Sequence, residues 1–130
     1  MTRDEVFEFF RRLAEENPSP TTELEFENPY TLLVAVVLSA QATDAGVNRA
    51  TRPLFVAVDT PQKMLDFWEA RLLEAVRSLG FFNMKTKNVL ALSRILVEEH
   101  GGEVPRDLEA LRRLPGVGRK TASVVLNSAF

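Results

Sequence analysis

Residues 30–40 read Tyr-Thr-Leu-Leu-Val-Ala-Val-Val-Leu-Ser-Ala, "YTLLVAVVLSA". The run is apolar nearly all round and rich in β-branched side chains, so by propensity alone it suits a buried strand. A single strand has nothing to pair with, however, and no other segment of the chain alternates with a period of two. The run therefore predicts a central buried helix, which makes the chain all-α. Asn28-Pro29 before it is a helix-start signal, with proline in the first turn where its missing N–H costs nothing.

Outward from this helix the pattern stays helical. Upstream, Glu5 to Glu16 places Val6, Phe7, Phe9, Phe10, Leu13 and Ala14 on one side at the 3.6 period, and the prolines of "NPSPTT" end it. Downstream, "SAQATD" breaks the central helix, and Thr43 or Asp44 can cap the next one, whose apolar face is Val47, Thr51, Leu54, Phe55 and Val58. Pro53 lies inside that helix and is expected to kink it. Thr60-Pro61 starts a short helix through Met64, Leu65 and Trp68, with Trp68 in the core. Another short helix carries Leu72, Leu73, Val76 and Leu79, with Gly80 as its C-terminal glycine. Asn83 can cap a longer helix to His100, closed by Gly101-Gly102. A last pair covers about 107–113 and then 119 onward. The total is about eight helices with short connections.

The composition bounds the chemistry. At 130 residues, 45% apolar and 26% charged, the chain matches one soluble globular domain. It has no cysteine, which leaves no disulfide, thiolate zinc site or cysteine-held cluster within these residues. The one histidine, His100, lies at a predicted helix C-terminus, where an imidazole favours the negative pole. The N-terminus "MTRDEVFEFFRRL" lacks the apolar core of a signal peptide, and the longest apolar run is far shorter than the ~18 residues of a membrane span. A cytoplasmic protein with no membrane association is expected. Net charge is −2, yet residues 1–70 hold six Lys/Arg against twelve Asp/Glu, while 71–130 hold ten against six. Such asymmetry fits a basic binding face on an acidic body, or charges that interleave in three dimensions.

The basic part contains Leu114 to Ala122, "LPGVGRKTA". Pro115 ends one helix, Gly116 permits positive φ, Gly118 allows close backbone approach, and Val117 can point inward between them. The next helix then starts with free N–H groups whose dipole favours an anion. A nucleic-acid phosphate suits that position; so does an ordinary helix–turn–helix corner with no ligand. Arg112, Arg113, Arg119 and Lys120 around the turn favour the phosphate. Lys120 sits in the first helical turn beside Arg119, and both neighbours favour its neutral amine, which can attack an electrophilic carbon. Spacing alone does not separate that role from simple phosphate neutralisation.

Four blocks, "NPYTLLVAVVLSAQATD" (28–44), "GFFNMKTKN" (80–88), "GGEVPRDLEALRRLPGVGRKTA" (101–122) and "LPGVGRKTASVVLNSAF" (114–130), together resemble the endonuclease III family of DNA base-excision glycosylases. The resemblance runs from about Thr21 to the end. It implies the helix-hairpin-helix DNA glycosylase fold: an N-terminal helix at 1–20 belonging with an iron–sulfur segment, and a six-helix barrel at 21–130 with its hairpin at 107–130. By the same resemblance Lys120 is the nucleophile that attacks C1′ of a damaged nucleoside, giving an imine and β-elimination. Gly116, Val117, Gly118 and Arg119 hold a DNA phosphate. Gln41 fills the space left by a flipped nucleotide, or else caps the break after the central helix. Phe81, where the family commonly has leucine, is the apolar wedge, or else core beside Phe82. Lys85, Lys87 and Arg94 read as a solvated basic face. The implied partner is double-stranded DNA with oxidised pyrimidines or abasic sites.

Two family features are absent from these residues: a catalytic aspartate in a Val-Asp-Thr-His block beyond the hairpin, and four cysteines that hold a [4Fe–4S] cluster in full-length relatives. Asp44 reads as a helix cap, not a replacement. The chain therefore looks truncated, with no cofactor of its own. It is expected to be monomeric, with self-association possible through Phe7, Phe9, Phe10 and Leu13. Besides the glycosylase/lyase, a non-catalytic helix-hairpin-helix DNA-binding module remains open.

Overall fold

The computed structural model describes residues 23–40, 42–67 and 69–130, and among them every regular element is a helix. The predicted helix at 5–16, its apolar face, Gln41 and Trp68 lie outside the described residues. The elements are α1 (Pro29–Leu38), α2 (Asp44–Ala57), α3 (Pro61–Asp66), α4 (Glu69–Val76), α5 (Phe82–Glu99), α6 (Leu108–Arg112) and α7 (Arg119–Ala129).

The run at 30–40 is the central helix. Every residue from Tyr30 to Leu38 is buried, as a helix apolar on all sides must be. Each Leu or Val side chain there contributes about 1.5–3 kcal/mol on leaving water. Packing against α2, α5 and α7 covers it on several sides at once.

The start of α1 is fixed by a reciprocal cap. Asn28 Oδ1 accepts from Thr31 N–H at 2.8 Å, and Thr31 Oγ1 accepts from Asn28 N–H at 3.0 Å. Asn28 Nδ2 also donates to the Asp59 carbonyl at 2.9 Å, tying α1 to the α2–α3 connection. Capping of this kind contributes about 1 kcal/mol.

Several buried polar groups in the core are matched. Ser93 Oγ donates to the Val89 carbonyl at 2.7 Å, so at 2.6 Å the Tyr30 hydroxyl donates its proton to Ser93. Burial pushes the Tyr30 phenol well above its ordinary range. Ahead of α1, Glu25 N–H donates to Asn48 Oδ1 at 2.8 Å, and the nearly buried Glu25 carboxylate takes Arg52 Nε at 2.7 Å and Nη2 at 3.2 Å.

Thr43, not Asp44, caps α2, accepting from Gly46 N–H at 3.0 Å, and the helix runs on through Pro53. Thr60 caps α3 with Pro61 in the first turn. Two expectations change. The helix carrying Leu72 and Val76 ends at Val76, and Gly80 is not among the glycines with positive φ. Asn83 does not cap α5: the chain enters through Phe81 in the left-handed region, φ 58°, ψ 35°, with no side-chain cap. The far end of α5 behaves as expected. Gly101 and Gly102 take φ of 62° and 82°, and both His100 N–H and Gly102 N–H reach the Leu96 carbonyl.

Helix α5 is the long strut of the fold. At 18 residues it is about 27 Å long. Its buried stripe, Lys85, Thr86, Val89, Leu92, Ser93 and Leu96, faces α1, α3 and α4.

Candidate functional site

The hairpin is built by local rules. Asp107 accepts from Ala110 N–H at 3.2 Å and starts α6. Leu111 and Leu114 bury the short helix against α7. Val117 N–H then donates to the Leu114 carbonyl at 3.1 Å, closing a four-residue turn with Pro115 second and Gly116 third. Gly116 has φ of 79°, the value that a type II turn demands at its third position. A Cβ on Gly116 would also stand 3.0 Å from Asn88 Nδ2 and 3.2 Å from Asn88 Cβ. Val117 is buried, pinning the turn from below as its position between two glycines predicts.

Gly118 differs. It caps α7 with extended backbone, φ −92°, ψ −177°, and a Cβ added there meets nothing within 4 Å. The expectation that Gly118 admits a close neighbour is therefore not met by any of the described residues. With no side-chain cap on α7, the first bond along the helix is Ala122 N–H to the Gly118 carbonyl at 2.9 Å. The preceding N–H groups have no hydrogen-bond partner among the described residues, and the helix dipole adds positive potential there.

The cations around this edge sort into paired and unpaired. Arg112 binds Glu109 at 3.3 Å. Arg113, Arg119 and Lys120 are exposed and form no ion pair among the described residues. Lys120 is the second residue of α7, directly behind the open edge. Its side chain is exposed at that edge.

Phe81 stands at the N-terminal end of α5, the helix that reaches the hairpin through Asn88. It is 62% exposed, whereas Phe82 packs against the core, which removes the reading of Phe81 as a core residue. A left-handed backbone on a non-glycine residue costs about 1–2 kcal/mol. Asn88, seven residues along α5, touches the hairpin at Gly116. One rigid helix thus joins Phe81 to the hairpin across a rise of about 10 Å.

Two residues of α5, Asn88 and Met84, were not found by reading the sequence, and a third, Lys85, was misplaced by it. Asn88 carries no local signal, because its role is a contact across the fold. Met84 is exposed one turn from Phe81, and that spacing is visible in the sequence. Lys85 corrects an expectation: Lys87 and Arg94 are exposed, but Lys85 is buried, and its Nζ and the adjacent Thr86 Oγ1 have no hydrogen-bond partner. Burial pulls the Lys85 amine below its ordinary value. The signal lay in the spacing, since 85, 89, 92 and 96 fall on one helical stripe.

Among the described residues no three His, Cys, Asp or Glu side chains come together to hold a metal, and none of the helices is long and apolar enough to cross a membrane. The chain has no cysteine, so its residues do not fit the [4Fe–4S] cluster that the resemblance implies for full-length relatives.

Comparison with known proteins matches this arrangement. Residues 34–127 match the HhH-GPD superfamily base excision DNA repair protein family. The chain is 52% identical to endonuclease III of Haemophilus influenzae and 50% identical to that of Escherichia coli K12, in each case over all of this chain and 62% of the relative. Among solved structures, a trapped endonuclease III–DNA covalent intermediate superposes with a TM-score of 0.83 at 42% identity, covering 100% of this chain and 61% of that one. A thermostable thymine-DNA glycosylase superposes at 0.76 and 26% identity, covering 83% of this chain and 52% of that one. The chain thus spans about three fifths of the length of the endonuclease III relatives. With the helical fold, the hairpin and the family match in agreement, this chain belongs to the HhH-GPD superfamily of base excision DNA repair proteins.

Proposed function

We propose that this chain forms the larger part of a base-excision DNA glycosylase/AP lyase whose nucleophile is Lys120. The observation that carries the reading is the open amide edge at Gly118, with Lys120 two residues behind it. Glycine at 118 is the N-cap of α7, and neither a positive φ nor a neighbour among the described residues takes up the space beside it, so its bare backbone is left open to a ligand. A DNA phosphate fits: N–H donors, dipole and the unpaired Arg113, Arg119 and Lys120 all favour an anion, without reading base sequence. Structures similar to this chain include endonuclease III–DNA complexes, covalent and non-covalent.

In this reading residues 21–130 are the barrel domain and 107–130 its hairpin. Gly116, Val117, Gly118 and Arg119 seat the phosphate. Phe81 wedges the duplex open, and Gln41 fills the vacated space. Extruding a nucleotide costs about a few kcal/mol, less at a damaged or abasic position, which gives preference for lesions. The neutral Lys120 amine adds to C1′ of an abasic aldehyde, and water leaves to form the imine. Loss of a C2′ proton then drives electrons to break the C3′–O bond, releasing the 3′ phosphate. On a damaged nucleoside the same attack displaces the base, which departs with the bonding pair and takes up a proton. The partner is duplex DNA bearing oxidised pyrimidines or abasic sites, and the location is wherever the cell keeps its DNA. No step is routed through an iron–sulfur cluster.

Incubation of the chain with abasic duplex and borohydride tests this. A trapped adduct is expected with the native chain and lost in Lys120→Ala, which should still bind DNA, more weakly, through the hairpin amides, Arg113 and Arg119. Salt-sensitive binding without any adduct supports the non-catalytic module instead. An adduct that survives Lys120→Ala removes Lys120 from the chemistry.

A further inference from the structure

Five large apolar side chains are exposed among the described residues, and two of them stand at the start of α5, Phe81 as its left-handed N-cap and Met84 in its first turn. A single exposed methionine needs no explanation. This one has a defined place. Met84 and Asn88 are four apart on one face of α5, and the N-cap Phe81 precedes them by one turn of backbone. Asn88 lies under the hairpin turn at Gly116. Met84 therefore stands between the wedge and the phosphate-holding turn. Helical side chains lean toward the N-terminus, so the thioether leans toward Phe81.

We propose that Met84 is a second wedge residue, packing on the base-pair step next to the one that Phe81 opens, on the side of the phosphate held by the hairpin. The proposal rests on the DNA-repair reading above and extends it. Neighbours three apart on a helix are about 5–6 Å from each other, between one and two base-pair rises of about 3.4 Å. Met84 thus meets the adjoining step, not the opened one. Its chemistry suits that surface. Methionine is among the apolar side chains that proteins press between unstacked bases, and its flexible thioether fills irregular gaps. The stacked bases of a duplex are the occupant favoured by the surroundings, since unpaired cations and open amides flank the same surface at the hairpin. A second copy of this chain would bring like charge to like charge there.

The test uses the full chain and duplexes with a tetrahydrofuran abasic analogue, which forms no imine, and 2-aminopurine at the adjoining base pair. The native chain is expected to prefer the abasic duplex over the intact one and to raise the 2-aminopurine fluorescence. Met84→Ser should lose about tenfold of that preference and most of the fluorescence rise. Its salt dependence should match the native slope, because no phosphate contact is removed. Met84→Leu should restore both readouts, which a merely structural surface role would not require. Native-like preference and fluorescence in Met84→Ser overturn the proposal. So does equal weakening on both duplexes. If the native chain itself makes no distinction between the duplexes, the DNA-repair reading falls and Met84 with it. If the native chain discriminates, Phe81→Ala does not, and Met84→Ser behaves as native, only the Met84 proposal falls.

Discussion

Alanine at Gly116 and alanine at Gly118 should have opposite consequences, although the two glycines are separated by one residue. At Gly116 the backbone sits at φ 79°, where a residue with a Cβ loses about 1–2 kcal/mol. The new methyl would also stand 3.0–3.3 Å from Asn88 Nδ2, Cβ and Cγ, so that side chain must shift. The tip of Asn88 can rotate away, but its Cβ moves only with α5. Gly116→Ala should therefore destabilise the fold by about 2 kcal/mol. At Gly118 there is neither positive φ nor a neighbour within 4 Å. Alanine is poorer than glycine at a helix N-cap by about 0.5–1 kcal/mol. It also restricts the unfolded chain, a gain of about 0.4–1 kcal/mol. The two nearly cancel, leaving stability unchanged within about 0.5 kcal/mol. The added methyl would nevertheless stand on the open amide edge and hinder a phosphate. Urea unfolding followed by circular dichroism gives the first quantity, and fluorescence anisotropy with an abasic duplex gives the second. Gly118→Ala should unfold like the native chain and bind several-fold more weakly. Native-like binding by Gly118→Ala would refute the argument that its bare backbone serves a ligand.

Two further substitutions probe α5. Lys85→Met replaces a buried, unpartnered ammonium by an apolar side chain of similar length and should stabilise the chain by about 1–3 kcal/mol near neutral pH. Because burial lowers the Lys85 value below the ordinary 10.5, the unfolded chain holds more protons between the two values. Native stability should therefore climb with pH through that window, level off near 10.5, and lose this climb in Lys85→Met. A variant less stable than native in urea would show that the amine has a favourable partner. Phe81→Gly releases a left-handed backbone and removes a mostly exposed ring. It should raise stability by about 0.5–1 kcal/mol while abolishing the preference for abasic over intact duplex. Loss of stability would mean that the ring packs more than its exposure implies.

The helical character of the described segments, the starts at Asn28, Thr43 and Thr60 and the hairpin turn were readable in the sequence because each follows from neighbours in the chain. Asn28, Thr43 and Thr60 bond to N–H groups three residues on. Pro115-Gly116 meets the φ needs of a turn. The helical nature of residues 30–38 followed from the lack of any partner strand. Exposure was harder to read, because it depends on what lies across the fold. Phe81 and Phe82 are adjacent and alike, yet one turns to solvent and the other to the core. A left-handed residue at 81 also displaced the start expected at Asn83. Lys85 followed the stripe of Val89, Leu92 and Leu96 into the interior despite its charge. Contacts between residues far apart in the chain settle such matters: α5 must bury one stripe against α1, α3 and α4, and whatever occupies that stripe goes inside. At Gly118 the N-cap preference for glycine is local and legible, whereas the open space beside it, with no described residue within 4 Å of an added Cβ, was decided by the tertiary structure.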